Sequence, residues 1–352
     1  MNRHDPVVKE DLKIIAQALK KEVHLLEGKT ILITGGSGFL GKYIVASLLY
    51  LNDNILKKKC KIISLDNHIT SQGKGNDFTD KFLKNINQDV AKQFNIKGQI
   101  DYIIHAAGIA SPIYYRKYPL EAIDVAVNGT RNMLELANLK KVKSILFFSS
   151  SEIYGDPDPK EIPIKETYFG NVSSIGPRAC YDESKRLGET LCLTFFDLFK
   201  LPIKIVRPFN IYGPGMKSDD YRVIPSFIAS ALTNKPIPVH ASGNQTRAYC
   251  YITDAITGFL KVLLVGKDGQ AYNIGNDKTE VTVNTLAKVL DKLFNNKLDI
   301  KNIDYPKDYP KGEPKRRCPD LTKSKKGFSY TPNVDLKTGF KRTLAWCKNN
   351  WM

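Results

Sequence analysis

The stretch Lys29-Thr30-Ile31-Leu32-Ile33-Thr34-Gly35-Gly36-Ser37-Gly38-Phe39-Leu40-Gly41 decides how the rest of the chain is read. It opens as a short, β-branched apolar run and continues as helical sequence to about Tyr50. Between the two stand Gly35, Gly38 and Gly41. Glycine permits a tight turn and a close approach of the backbone to a pyrophosphate. The helix N-terminus that follows offers unpaired N–H groups to the anion. Strand, glycine turn and helix in that order predict a dinucleotide-binding unit.

Outward from this turn, Lys61–Leu65 is a second β-rich run that ends at Asp66. A carboxylate there can accept from both hydroxyls of an adenosine ribose and repels a 2′-phosphate, so NAD is expected rather than NADP. Asp101–Ala106 and Ser144–Ser149 read as two further strands, with helical segments between them. Short apolar strands alternating with helices predict an α/β fold, a Rossmann-like doubly wound parallel sheet. From about Pro208 proline and glycine become frequent, and helices are expected at 224–233, 253–265 and 284–295. Residues 7–26 carry Leu12, Ile15, Leu19, Val23 and Leu26 at helical spacing and predict one amphipathic helix, packed on its own domain. The expected organisation is an N-terminal helical extension over 1–27, an NAD-binding domain over 28–207, and a smaller α/β substrate lobe over 208–352, some of whose segments return to the sheet. Pro306–Pro319, rich in proline and basic residues, reads as a loop.

The 352 residues are 42% hydrophobic and 25% charged, an ordinary globular composition. No apolar run approaches the ~20 residues of a membrane span, and Met1–Leu26 lacks the apolar core of a secretory signal. Cys60, Cys180, Cys192, Cys250, Cys318 and Cys347 show no C-x-x-C spacing. No metal site is expected, and the thiols suit a reduced, cytoplasmic chain. Lys+Arg 53 against Asp+Glu 36 gives a net charge of +17. The lysines are spread along the chain and no nucleic-acid-binding signature accompanies them, so the surplus is a solvated surface that can help attract an anionic small molecule.

Tyr181 and Lys185 lie four apart in the helical stretch Cys180–Phe199, which puts both side chains on one face. A nearby ammonium stabilises a phenolate, so Tyr181 is a candidate general base for a sugar hydroxyl. The strand at 144–149 runs into Ser149-Ser150-Ser151-Glu152-Ile153-Tyr154-Gly155, and ligands of open α/β sheets sit at the carboxyl ends of strands.

With these motifs in hand the chain resembles the extended short-chain dehydrogenases/reductases, the NAD-dependent nucleotide-sugar epimerase/dehydratase group, from about Lys29 to about Phe340. Within that group it most resembles the UDP-glucuronate decarboxylases (UDP-xylose synthases). His105–Pro112 with Tyr115, Ser149–Pro157, Gly176–Glu183, Gln245-Thr246-Arg247 and Glu313–Asp320 carry the likeness. The resemblance implies that Tyr181 is the base and Lys185 its electrostatic partner. Ser150 would share the proton, and Glu152 would act near C5 of the sugar. For the tightly held, recycled NAD it implies Gly35, Gly38, Phe39, Leu40, Gly41, Asp66, Asn67, Asp89, Val90, Ala106 and Ala107, together with Tyr181 and Lys185. For the nucleotide sugar it implies Tyr115, Asn210, Arg247 and Arg317, with Asn210 and Arg247 on the diphosphate. It further implies a homodimer through the helices around Asn128 and Tyr181.

Related enzymes of this group diverge after a common 4-keto intermediate. A 4,6-dehydratase uses an adjacent Asp-Glu pair, whereas here the pair is Ser151-Glu152, the decarboxylase-like pattern. The expected function is UDP-glucuronate decarboxylation to UDP-xylose. A 4-epimerase or 4,6-dehydratase is the alternative within the class, and a catalytically silent NAD or nucleotide-sugar sensor the alternative outside it. Two positions depart from the decarboxylase pattern: Gly215 stands where the family has arginine, and Ala107-Gly108-Ile109 where it has Ala-Ser-Pro.

Overall fold

The computed structural model describes residues 1–70, 78–304 and 314–352. In chain order the principal elements are α1 (Pro6–Ala18), β1 (Thr30–Thr34), α2 (Phe39–Asn54), β2 (Lys61–Asp66), β3 (Leu83–Asn87), β4 (Tyr102–His105), α3 (Pro112–Lys117), α4 (Pro119–Lys140), β5 (Ser144–Phe148), α5 (Ala179–Phe199) and β6 (Ile203–Pro208). The strand Gln270–Ile274 completes a seven-stranded sheet whose order runs from that strand through β6, β5, β4, β1, β2 to β3. Every pairing in it is parallel, with Leu32 of β1 opposite Ile63 on one side and Ile103 on the other. Parallel strands need covering on both faces, and β1, β4 and β5 are accordingly apolar along most of their length and almost wholly buried. The doubly wound Rossmann-like fold expected from the glycine turn is the fold observed.

The strand order reverses between β1 and β4, where the crevice beyond the carboxyl ends of a doubly wound sheet opens. Beyond Pro208, three small sheets hang over these ends: 211–212 with 250–251, 237–240 with 300–303, and 246–248 between 280–282 and 316–317. They carry Asn210, Arg247 and Arg317 to the crevice. Buried Arg207 braces this junction. Its guanidinium meets both carboxylate oxygens of Glu189 on α5, at 2.9 and 2.6 Å, and donates to the Tyr154 hydroxyl.

Three local readings differ from the sequence expectation. The amphipathic segment is two pieces: α1, capped by Asp5 with Pro6 in its first turn, ends at Ala18, and a short 3₁₀ turn at Val23–Leu26 follows. The break lets Val23 and Leu26 reach the core alongside Leu12, Ile15 and Leu19. The segment does pack on its own chain, against α2 and the helices Ile252–Val265 and Leu336–Asn350. Strand β3 was not foreseen. It is a sheet edge of sequence Leu-Lys-Asn-Ile-Asn, mostly exposed, and it lacks the apolar run that marks its neighbours. Of the proline-rich loop, residues 305–313 lie outside the described residues, and Arg316–Arg317 is a short strand paired with 246–247.

Candidate functional site

The glycine turn is built for close approach. Gly35 sits at φ +72°, and a Cβ there would lie 2.8 Å from the Ala106 carbonyl oxygen and the Ala107 nitrogen. A Cβ on Gly41 would lie 2.0 Å from the Gly35 carbonyl oxygen, so the helix could not seat against the turn. Gly38 is the N-cap of α2, whose first N–H groups have no side-chain cap. Asp66 ends β2 and accepts from the backbone N–H of Ser37 (2.9 Å) and of His68 (2.8 Å). A carboxylate has further lone pairs, which leaves capacity for ribose hydroxyls.

Beside the turn a cavity is lined by Gly35, Gly38, Asp66, Asn67, Asp89, Val90, Ala106 and Ala107 of the expected cofactor set. Phe39, Leu40, Gly41, Tyr181 and Lys185 of that set do not line it. The Phe39 and Leu40 side chains pack on the core instead. At the end of β5 the buried Ser149 Oγ has no hydrogen-bond partner among the described residues. A cradle only glycine fits, a carboxylate at the second strand and an orphaned hydroxyl together fit a dinucleotide.

Tyr181 and Lys185 are buried on one face of α5. The Tyr181 ring stacks on Tyr115 with centroids 5.4 Å apart and planes at 10°, and its phenol hydrogen-bonds the Ser150 side chain. Ser150 in turn accepts from the Glu152 N–H at 3.1 Å. Lys185 Nζ donates to the Phe148 carbonyl at 2.7 Å, beneath Gly108. Burial lowers the lysine to about 8. Burial also pushes the Tyr181 phenol upward, opposed by Ser150 and reinforced by Glu152 and Asp182. The sequence expectation of a tyrosine lowered by its lysine is therefore not what the protein alone produces. His105, under the site between Thr34 and Thr130, is pushed by burial to about 3 and stays neutral.

A second, larger cavity holds Tyr115, Glu152, Tyr181, Asn210, Arg247 and Arg317, so the structure brings together the residues expected to meet sugar and diphosphate. Asn210 takes a left-handed φ of +40° and donates to the Ala248 carbonyl at 3.1 Å. Glu152 is the electrostatic centre. Burial alone would raise its carboxyl, but the guanidiniums of Arg317 and Arg178, each ion-paired to it, hold it down at about 2. Arg317 is almost fully buried, and its Nε, like the Tyr115 hydroxyl, lacks a hydrogen-bond partner among the described residues. Four arginines, Arg178, Arg222, Arg247 and Arg317, line the cavity against one carboxylate and leave it strongly cationic.

Arg178 received no role from the sequence, although it stands one helical turn before Tyr181. Asp182, next to the tyrosine, was likewise passed over. Its Oδ2 lies 3.5 Å from Arg178 Nε. The departure at Gly215 also has a structural counterpart: φ is +91°, and the space a side chain would take is filled by Met1, whose Sδ would be 3.2 Å from a Cβ there.

Comparison with known proteins agrees with this geometry. The model of the NAD dependent epimerase/dehydratase family matches residues 31–275. UDP-glucuronic acid decarboxylase 5 of Arabidopsis thaliana is 39% identical over 315 residues, covering 88% of this chain and 86% of that protein. UDP-glucuronic acid decarboxylase 1 of Xenopus tropicalis is 34% identical over 321 residues, covering 90% and 72%. In fold, the epimerase Mth375 of Methanothermobacter thermautotrophicus superposes with a TM-score of 0.81 at 24% identity, over 96% of this chain and 97% of that one. The UDP-glucuronic acid 4-epimerase of Bacillus cereus, solved with UDP-glucuronic acid and NAD, gives 0.75 at 23%, over 91% and 99%.

Proposed function

The chain belongs to the NAD dependent epimerase/dehydratase family, and from that premise we propose that it decarboxylates UDP-glucuronate to UDP-xylose. The observation that carries the reading is the clamp on Glu152. A carboxylate held near 2 between two guanidiniums is a poor proton acceptor, and Ser151 beside it is no acid. Dehydration needs both a C5 base and a C6 acid. Loss of carbon dioxide needs neither, because a 4-ketone is itself the electron sink for a β-carboxylate. The surplus of arginine suits a substrate with both a diphosphate and a carboxylate.

In this reading NAD, held at the glycine turn and Asp66, would supply a recycled hydride acceptor for C4. Tyr181 takes the O4 proton through the hydrogen bond it shares with Ser150, and gives it back at the end. Tyr115, stacked on Tyr181, fixes the phenol's direction. Asn210 and Arg247 hold the diphosphate, and Arg317 and Arg178 orient the sugar carboxylate beside Glu152. Lys185, tied to the Phe148 carbonyl, would bind the cofactor ribose. Residues 28–207 serve as the cofactor domain and 208–352 as the substrate lobe. Exposed Leu120, Leu139, Leu187 and Leu198 on α4 and α5 support a homodimer through those helices. Six unpaired thiols suit the cytoplasm.

The test is incubation with UDP-glucuronate and NAD followed by mass spectrometry. Loss of carbon dioxide is expected. Loss of water, or an unchanged mass with a shifted retention time, would replace the reading by a dehydratase or an epimerase.

A further inference from the structure

The proposed reaction has a proton balance that the residues named so far do not close. Tyr181 takes a proton from O4 and returns it to O4. When the C5–C6 bond breaks, its electron pair passes into the C4 carbonyl and carbon dioxide leaves. C5 must then take up a proton as the ketone re-forms. A carboxylate becomes a neutral gas, so one solvent proton is consumed in each turnover, and the substrate itself occupies the main cavity.

A second opening reaches the same cluster from the other side. It is lined by Glu152, Arg178 and Asp182, with Asp156, residues 171–173 and residues 175–177. Glu152 and Arg178 are common to both cavities. Asp182 is buried, and its Oδ1 has no hydrogen-bond partner among the described residues. The charged and titratable groups acting on it or acted on by it are Glu152, Arg178, Arg317, Tyr181, Tyr115 and Cys180. Glu152 is ion-paired to both guanidiniums, and the Asp182 carboxyl has a longer contact, 3.5 Å, to Arg178 Nε.

We propose that Asp182 and this second opening form the inlet for the solvent proton that C5 takes up. The inference rests on the decarboxylase reading. Asp182 is a positioning residue that would act through water admitted by the opening: its O–H gives a proton to that water, the water gives one to C5 as the C4 ketone re-forms, and the carboxylate is reprotonated from solvent at the mouth of the opening. Its protonation suits the task. Burial first, then the Glu152 charge, raise its carboxyl to about 7 against the pull of Arg178 and Arg317. The acid form is the donor, so turnover is full below that pH and declines above it.

The experiment compares wild type with Asp182→Asn and Asp182→Glu in ordinary and heavy water, across pH, with UDP-glucuronate as substrate. Wild type should release carbon dioxide, place one solvent deuterium at C5 and lose kcat on the alkaline side. Asp182→Asn should lower kcat by roughly 10-fold to 100-fold, a general-acid magnitude. It should also lose the alkaline limb, enlarge the solvent isotope effect and accumulate reduced cofactor absorbance. Asp182→Glu should restore the limb at a shifted pH. An unchanged pH profile and isotope effect in Asp182→Asn would overturn the inlet while leaving the decarboxylase standing. Absence of carbon dioxide from wild type would remove the reading and the inlet together. If Asp182→Asn does not fold, Asp182→Glu decides: a shifted limb supports the inlet and an unshifted one overturns it.

Discussion

Asp11 is fully buried on α1, and its carboxylate gathers the chain's ends. It accepts from the Tyr43 hydroxyl at 2.9 Å, from the Tyr251 hydroxyl at 2.9 and 3.1 Å, and from Arg342 at 2.6 and 3.0 Å. Asp11→Ala therefore strands a guanidinium and two buried hydroxyls at once. Removing one partner of a buried pair costs about 3–5 kcal/mol. The orphaned hydroxyls belong to the same network, so their cost is not simply added. Against a total stability of roughly 5–15 kcal/mol this is a large fraction. Chemical denaturation of the full chain followed by fluorescence should show that loss. Arg342→Ala should show a similar one, and the double variant should fall short of the sum by about 0.5–3 kcal/mol. The pH dependence has a definite sign. Burial raises the Asp11 carboxyl from 3.8 to about 6, against Arg342 and the tyrosine hydroxyls. The folded state thus binds this proton more tightly than the unfolded one. The group's contribution is full below the unfolded value and is lost as pH rises through about 6, by about 3 kcal/mol. The deficit of Asp11→Ala relative to wild type should grow as pH is lowered across that window. A deficit under about 1 kcal/mol, or strict additivity with Arg342→Ala, would refute the network as a structural unit.

Tyr181→Phe keeps the ring stacked on Tyr115 but removes the proton acceptor; kcat should fall by about 10²–10⁴ with NAD retention and thermal stability unchanged. Asp66→Ala should weaken NAD binding by about 10-fold to 100-fold, the worth of hydrogen bonds to a charged acceptor, and calorimetric titration measures it directly; an unchanged affinity would mean the ribose lies elsewhere. Glu152, held near 2 by Arg317 and Arg178, should contribute no limb to the kcat/KM profile above about pH 4. An acidic limb near the ordinary glutamate range that disappears in Glu152→Gln would show that the clamp does not hold it ionised.

What was legible in the sequence was what leaves a local chemical trace. The glycines were readable because only they fit at Gly35 and Gly41, and the buried strands because parallel sheets demand unbroken apolar runs. β3 left no such trace, since an edge strand needs only backbone partners on one side. Tyr181 and Lys185 were readable by spacing, but their electrostatics were not. Burial shifts both groups, and burial is set by the packing around α5, not by spacing along it. Glu152 and Arg317 were each readable as candidates, yet their mutual clamp spans 165 residues and forms only when strand 316–317 pairs with 246–247.

That clamp also explains why the two carboxyl groups beside the tyrosine have opposite proton affinities. Both carboxyl groups feel Arg178 and Arg317, but Glu152 is ion-paired to both, whereas Asp182 has the longer contact to Arg178 and is raised further by the Glu152 charge. Two charges suffice for one carboxylate and not for two, so one group is driven to about 2 and the other to about 7. Carboxyl groups pushed apart in this way are able to divide the work of orienting charge and carrying a proton. Arg247 adds a smaller pull on Glu152 in the same direction, and it lies on the substrate side, away from the opening that Asp182 lines.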